Sequence, residues 1–207
     1  MVEISWVEVI MTKKFVLYCS ETKANYQDMD MLLSMIKVRK SKSNVIYGFT
    51  GNLMDLYMLY EPLFNIDLSP KSVCENTSYI EAKMLLIRRF KELMSNFPGL
   101  QILSAITGWN GDELETTRFA ITKNYNTTNG YEVFTIDNPN DIRTIFLGKD
   151  VRHHYNFCNL INRMPSVTIL NFKNKFKEAL DIGVKFDDSI NQTCIFEALK
   201  ENIFIGI

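Results

Sequence analysis

Along this chain the apolar residues switch between a repeat of two and a repeat of three to four, and the helical stretches come in pairs. "EISWVEVIM" (residues 3–11) alternates and gives way to the turn "TKK"; "FVLYCSET" (15–22) is a second strand, and the two make an opening hairpin. "KANYQDMDMLL" is polar and irregular, residues 36–39 make a short strand, and 45–49 a buried one closed by a Gly-x-x-Gly turn at Gly48 and Gly51. In residues 53–64 Leu53, Leu56, Tyr57, Tyr60 and Phe64 recur at helical steps, with Pro62 marking a kink or an early end. A loop over 65–78 leads to a long helix capped by Ser78, with Glu81 completing a capping box and "FPG" stopping it after Asn96. "LQILSAITGWN", "TRFAITKN" and "YEVFTIDN" then form a meander through the turns "GDELET" and "YNTTNG", and "IRTIFLG" is a further strand. Gly148 opens a helix through "VRHHYNFCNLINR", residues 166–186 make a last helix, and "NQTCIFEAL" ends in a strand. Helices paired between runs of antiparallel strands predict a layered α+β sandwich, folded as a single domain over residues 1–207.

Composition narrows the function classes. The chain is 46% hydrophobic and 23% charged, an ordinary globular balance. Its 23 basic and 24 acidic side chains leave no excess to draw nucleic acid or an anionic membrane. The basic cluster "IKVRKSKSN" reads as a solvated strand end, and no apolar run reaches the roughly 20 residues that span a bilayer. The start carries Glu3 and Glu8 and does not read as a secretory signal. Cys19, Cys74, Cys158 and Cys194 lie far apart and read as buried free thiols of a reducing, cytoplasmic compartment, which leaves the sequons at Asn76, Asn126 and Asn191 idle. The Asn-, Ile- and Lys-rich texture is that of an AT-rich genome, viral or bacterial.

Four stretches, in this order, resemble the proteasome β-subunit family and the HslV-type peptidases within it. "IKVRK" with "VIYGFTGNLMDLYMLYEPLF" is similar to the family's lysine strand, glycine turn and first helix. "LSAITGWNGDE" is similar to its central strand, and "TIFLGKDVRHHYNFCNLI" to the strand and glycine turn before its third helix. "FKEALDIGVKFDDSINQTCIFEAL" is similar to its closing helix, acidic-serine loop and final strand. The resemblance implies an N-terminal nucleophile (Ntn) hydrolase fold, a four-layer αββα sandwich, and assembly into a homo-oligomeric ring or shell.

It also implies a chemistry. A hydroxyl on the first residue attacks a peptide carbonyl while the free α-amine beside it takes the proton, and an α-amine titrates near 7.7–8.0. Carried across, the nucleophile is Ser5, the tuning lysine Lys37, the oxyanion donor Gly51, the first acidic position Glu21, and the acidic-serine loop Asp187 or Asp188 with Ser189. Two positions depart from the pattern. Leu147 stands where the family places a serine, and Ser5 is preceded by "MVEI", so its amine is free only after a cut between Ile4 and Ser5. With those residues attached the N-terminus cannot do the reaction.

Three readings follow, in order: an inactive or unprocessed proteasome-like subunit acting by self-assembly or by binding a protein or peptide partner; a serine-type peptidase using Ser5; and an unrelated α+β binding module. His153 and His154, the two histidines, point about 100° apart on a helix and have no Cys, Asp or Glu at ligand spacing, so neither a metal nor a cofactor is expected. No Gly-x-Ser-x-Gly elbow supports a Ser/His/Asp site. The apolar helix "LMDLYMLYEPLF" reads as core or subunit interface.

Overall fold

A computed structural model describes residues 2–4, 6–26, 33–34, 37–97, 99–121, 130–148, 150–188 and 190–200. It is a mixed α+β fold with two antiparallel sheets. The larger has eight strands: β1 (Val2–Ile4), β4 (Lys23–Tyr26), β5 (Leu33–Ser34), β6 (Val38–Lys40), β7 (Ile46–Asn52), β8 (Ile102–Asn110), β9 (Glu113–Ile121) and β10 (Tyr131–Phe134). They run in the order β10-β9-β8-β7-β1-β4-β5, with β6 also paired to β7. The smaller sheet has the order β11-β2-β3-β12, from Arg143–Gly148, Trp6–Met11, Phe15–Glu21 and Cys194–Lys200 respectively. Five helices complete the described chain: α1 (Leu53–Tyr60), α2 (Ser72–Asn76), α3 (Tyr79–Asn96), α4 (Val151–Ile161) and α5 (Ile169–Gly183).

Burial explains the sheets. Every residue of β2 and β3 is buried, so both faces of this hairpin meet protein. Val7, Val9, Met11, Val16 and Tyr18 cluster with Val38, Ile46, Ala105 and Leu114 of the larger sheet. The alternate residues Trp6, Ile10, Phe15, Leu17 and Cys19 cluster with Phe157 of α4 and Phe172, Phe176 and Leu180 of α5. A third cluster joins Tyr47, Phe49, Ile102, Ile106 and Phe119 of the larger sheet to Leu56 and Tyr60 of α1 and Leu86, Phe90 and Leu93 of α3. Period two gives each strand two faces and period 3.6 gives each helix one stripe, and the three clusters are where they meet.

The opening hairpin is present, with Val9 opposite Tyr18, and so is the capping box of Ser78 and Glu81. Several expectations are corrected. Residues 3–11 are not one strand: Ile4 pairs in the larger sheet and Trp6 in the smaller, so the chain changes sheets between them. It changes again at Thr22, and β4 and β5 form in the stretch read as irregular. The Gly-x-x-Gly run is not a turn; β7 continues through Gly51 to Asn52, whose side chain accepts from the Met54 and Asp55 amides to start α1. Helix α1 stops at Tyr60, just before Pro62, and the loop over 65–78 contains α2. The "GDELET" turn shrinks to Gly111 and Asp112 because β9 begins at Glu113. No helix among the described residues is long and apolar enough to cross a membrane.

Candidate functional site around Lys37

Strand β7 has β8 on one side and two shorter partners in succession on the other. Lys40, Arg39 and Val38 of β6 face Ile46, Tyr47 and Gly48, and the Phe49 amide donates to the Lys37 carbonyl at 2.9 Å. Beyond that point β1 takes over the same edge, Ile4 opposite Gly51 and Glu3 opposite Asn52. One strand edge therefore sets Lys37 and Ile4 two residues apart along β7. Ser5 and Ser189 lie outside the described residues.

Lys37 is not the solvated strand-end lysine that its basic neighbourhood predicts. Its side chain is 0% exposed, as is that of Glu21, and the ammonium donates to Glu21 Oε1. Burial holds the Lys37 pKa well below the usual lysine value, because the charged form loses its water. The Glu21 carboxylate supplies the compensating charge, and its other oxygen accepts from the Lys23 amide at 2.5 Å. Glu21 is positioned as the last residue of β3, where the chain leaves the smaller sheet.

The acidic-serine loop docks against the same crossing. Lys23 Nζ donates to the Asp188 carbonyl, and the Thr22 amide donates to Asn191 Oδ1 at 3.2 Å and to the Thr193 carbonyl at 3.1 Å. Asp188 thus reaches the site through its backbone. Asp187, the other acid of this loop, pairs with His153 instead, its Oδ2 2.6 Å from Nε2.

Gly51 has φ +110°, and a Cβ there would lie 2.8 Å from the Gln101 carbonyl oxygen, so only glycine fits. It sits between Ile102 of β8 and Ile4 of β1. Leu147 is fully buried in the cluster between the sheets, opposite Val7, and has no polar role. The structure therefore brings Lys37, Glu21, Gly51 and Asp188 to the region where the chain crosses between sheets.

One cluster was missed by sequence spacing. Asp150, His153 and Asp187 each offer a metal-type donor within 4.8 Å of the others, because the loop after α5 folds onto the first turn of α4. Arg152 Nε binds both Asp150 oxygens, at 2.9 and 2.8 Å, and holds that carboxyl down to about 2. The His153 ring is stacked between Trp6 and Phe186, with centroids at 4.6 and 5.2 Å. With Arg152 already on Asp150 and the Asp187 carboxylate already on His153, this is a hydrogen-bonded network tying α4 to the loop. Sequence patterns mark both His153 and Asp187 but cannot pair them across 34 residues.

The sequence matches no protein-family profile and no curated protein. The fold does have solved counterparts. It resembles Anbu (ancestral β-subunit) from Yersinia bercovieri with a TM-score of 0.65 at 12% identity, over 94% of this chain and 81% of that one. It resembles eukaryotic HslV from Trypanosoma brucei with a TM-score of 0.57 at 17% identity, over 94% and 99%. The Anbu complex from Pseudomonas aeruginosa, solved as a helical assembly, matches with a TM-score of 0.65 at 8% identity over 95% and 82%. This chain thus shares its fold with the proteasome-like subunits Anbu and HslV.

Proposed function

We propose that this chain is a proteasome-like subunit that does not cut peptide bonds and acts by assembling with further copies of itself, in a ring or shell, or with a protein partner. Its two sheets stack face to face between the two helix pairs as a four-layer αββα sandwich, a reading supported by the three apolar clusters. The observation that carries the inactive reading is the pairing of Ile4 with Gly51 and of Glu3 with Asn52. Residues that Ntn chemistry must remove are here a strand of the larger sheet, bridging β7 to β4. They stand against the glycine whose amide would serve the oxyanion, and while attached they leave Ser5 without the α-amine that acts as base. Leu147 adds an aliphatic side chain where the resemblance asks for a hydrogen-bond donor.

A second reading has its own observation. The buried Lys37–Glu21 pair is a costly arrangement, and it is the pair a Ser5 nucleophile would use. On this reading Ser5, freed by a cut after Ile4, attacks the carbonyl; its own amine takes the proton, the Lys37 ammonium stabilises the deprotonated state, and Gly51 donates to the oxyanion.

Intact mass of freshly purified protein, with an electrophilic N-terminal probe on wild type and Ser5→Ala, separates the two. A mass that retains residues 2–4 and no Ser5-dependent labelling is the expected result. Loss of those residues with a Ser5 adduct establishes the peptidase. Light scattering on the same sample tests self-assembly, and a monomer at high concentration sinks the ring or shell.

A further inference from the structure

On β2 the residues facing the helices are Trp6, Glu8 and Ile10, so a carboxylate stands in an otherwise apolar row. Glu8 is fully buried, and burial raises its pKa. A charge is kept in such a place only when partners replace its water. Glu8 has two: Trp6 Nε1 donates to Oε1 at 3.0 Å, and His154 Nδ1 lies 3.1 Å from both oxygens. The same imidazole also meets a thiol. Cys158 Sγ, one helical turn further along α4, lies 3.6 Å from His154 Nε2 and 3.8 Å from Nδ1, and the Thr144 hydroxyl on β11 lies 3.6 Å from the same sulfur.

We propose that His154, held by Glu8, makes Cys158 a nucleophile toward hydroperoxides. Each member has a distinct role. Glu8 fixes the ring through Nδ1, which keeps the imidazole against the sulfur. Burial lowers the His154 pKa, but its hydrogen bonds to Cys158 and Glu8 outweigh that and lift it to about 10, so the ring carries a cation beside the sulfur. Cys158 is half-buried on the helical layer, whereas Cys19 and Cys74 are buried. In the step itself Sγ attacks one peroxide oxygen, the S–O bond forms as the O–O bond breaks, and the other oxygen leaves as alcohol or water. The proton that the thiol gives up ends on that departing oxygen. Sulfur is oxidised by two electrons to sulfenic acid and the peroxide is reduced by two.

This cluster shares no residue with the Lys37 site, so its test is independent of the function proposed above. Folded wild-type protein is treated with substoichiometric hydrogen peroxide in the presence of dimedone, and adducts are mapped by mass spectrometry. Cys194, also half-buried and with no histidine beside it, is the internal reference. Cys158 is expected to gain the adduct at least tenfold faster than Cys194, and His154→Asn is expected to lower the Cys158 rate at least tenfold. Equal rates at the two cysteines in wild type overturn the proposal, and that comparison needs no variant to fold. A Cys158 rate unchanged in folded His154→Asn overturns it as well.

Discussion

Lys37 and Glu21 each give up their water on folding, and each is tolerable only because of the other. Removing one partner leaves the second as an uncompensated buried charge. Lys37→Met is therefore expected to lower the unfolding free energy by about 3–5 kcal/mol, read as a shift of the urea midpoint. The double variant Glu21→Leu with Lys37→Met should regain most of that loss; a single variant that costs under about 1 kcal/mol would show that the pair is not charged. Residue identity alone hid this pair. "IKVRKSKSN" has four cations, and Lys40 on β6 is exposed as its composition predicts, yet Lys37 is buried. What separates them is that Lys37 sits at the point where the two sheets exchange chain, which no local count can register. The resemblance, by contrast, did single out Lys37 and Glu21 from their motifs.

Elements in this chain are joined by polar networks as well as by apolar stripes. Helix α3 packs on β8 where Gly108 has no side chain; a Cβ there would lie 2.4 Å from Tyr79 Cβ. That approach lets Tyr79 donate to Glu115 on β9 at 2.7 Å, while Lys83 reaches the same carboxylate at 2.5 Å and Asn110 reaches its other oxygen at 3.1 Å. Burial raises the Glu115 pKa, but these three hydrogen bonds outweigh it and hold the group below its usual 4.5. A carboxyl bound more weakly to its proton in the folded state stabilises the fold above 4.5 and loses that contribution as pH falls through the depressed value. Glu115→Gln should cost about 1–2 kcal/mol at neutral pH, and the gap from wild type should close as the medium is acidified below 4.5. Urea titrations of both proteins at several pH values check this; a gap constant with pH would mean that the carboxylate charge is not used. Helix α3 itself was legible, since Ser78, Glu81 and the periodic Ala82, Leu86, Phe90 and Leu93 are local marks. Strand β4 was not, because "KANY" has no alternation and exists by pairing with β1.

At the scale of the whole molecule the first residues hold the larger sheet together. In the order β7-β1-β4-β5, the β4 and β5 strands among the described residues reach β7 through β1. Deleting residues 1–4 is expected to strip amide-exchange protection from Lys23–Tyr26 while leaving the β8–β9 pairing protected, as read by hydrogen–deuterium exchange. Retained protection at Lys23–Tyr26 would show that β1 is dispensable, as a processed peptidase requires. The sequence by itself determined the alternation of strand runs and helix pairs, and with it the α+β class, because periods of two and 3.6 are properties of neighbouring side chains. It also carried the motif order by which the proteasome-like fold was recognised. Only the tertiary structure decided that the chain changes sheets between Ile4 and Trp6 and at Thr22, that Lys37 is buried against Glu21, and that Ile4 stands against Gly51. Those facts depend on strand pairing and desolvation between residues from 16 positions apart, Lys37 and Glu21, to 173 apart, Cys194 and Glu21, and no local pattern records such separations.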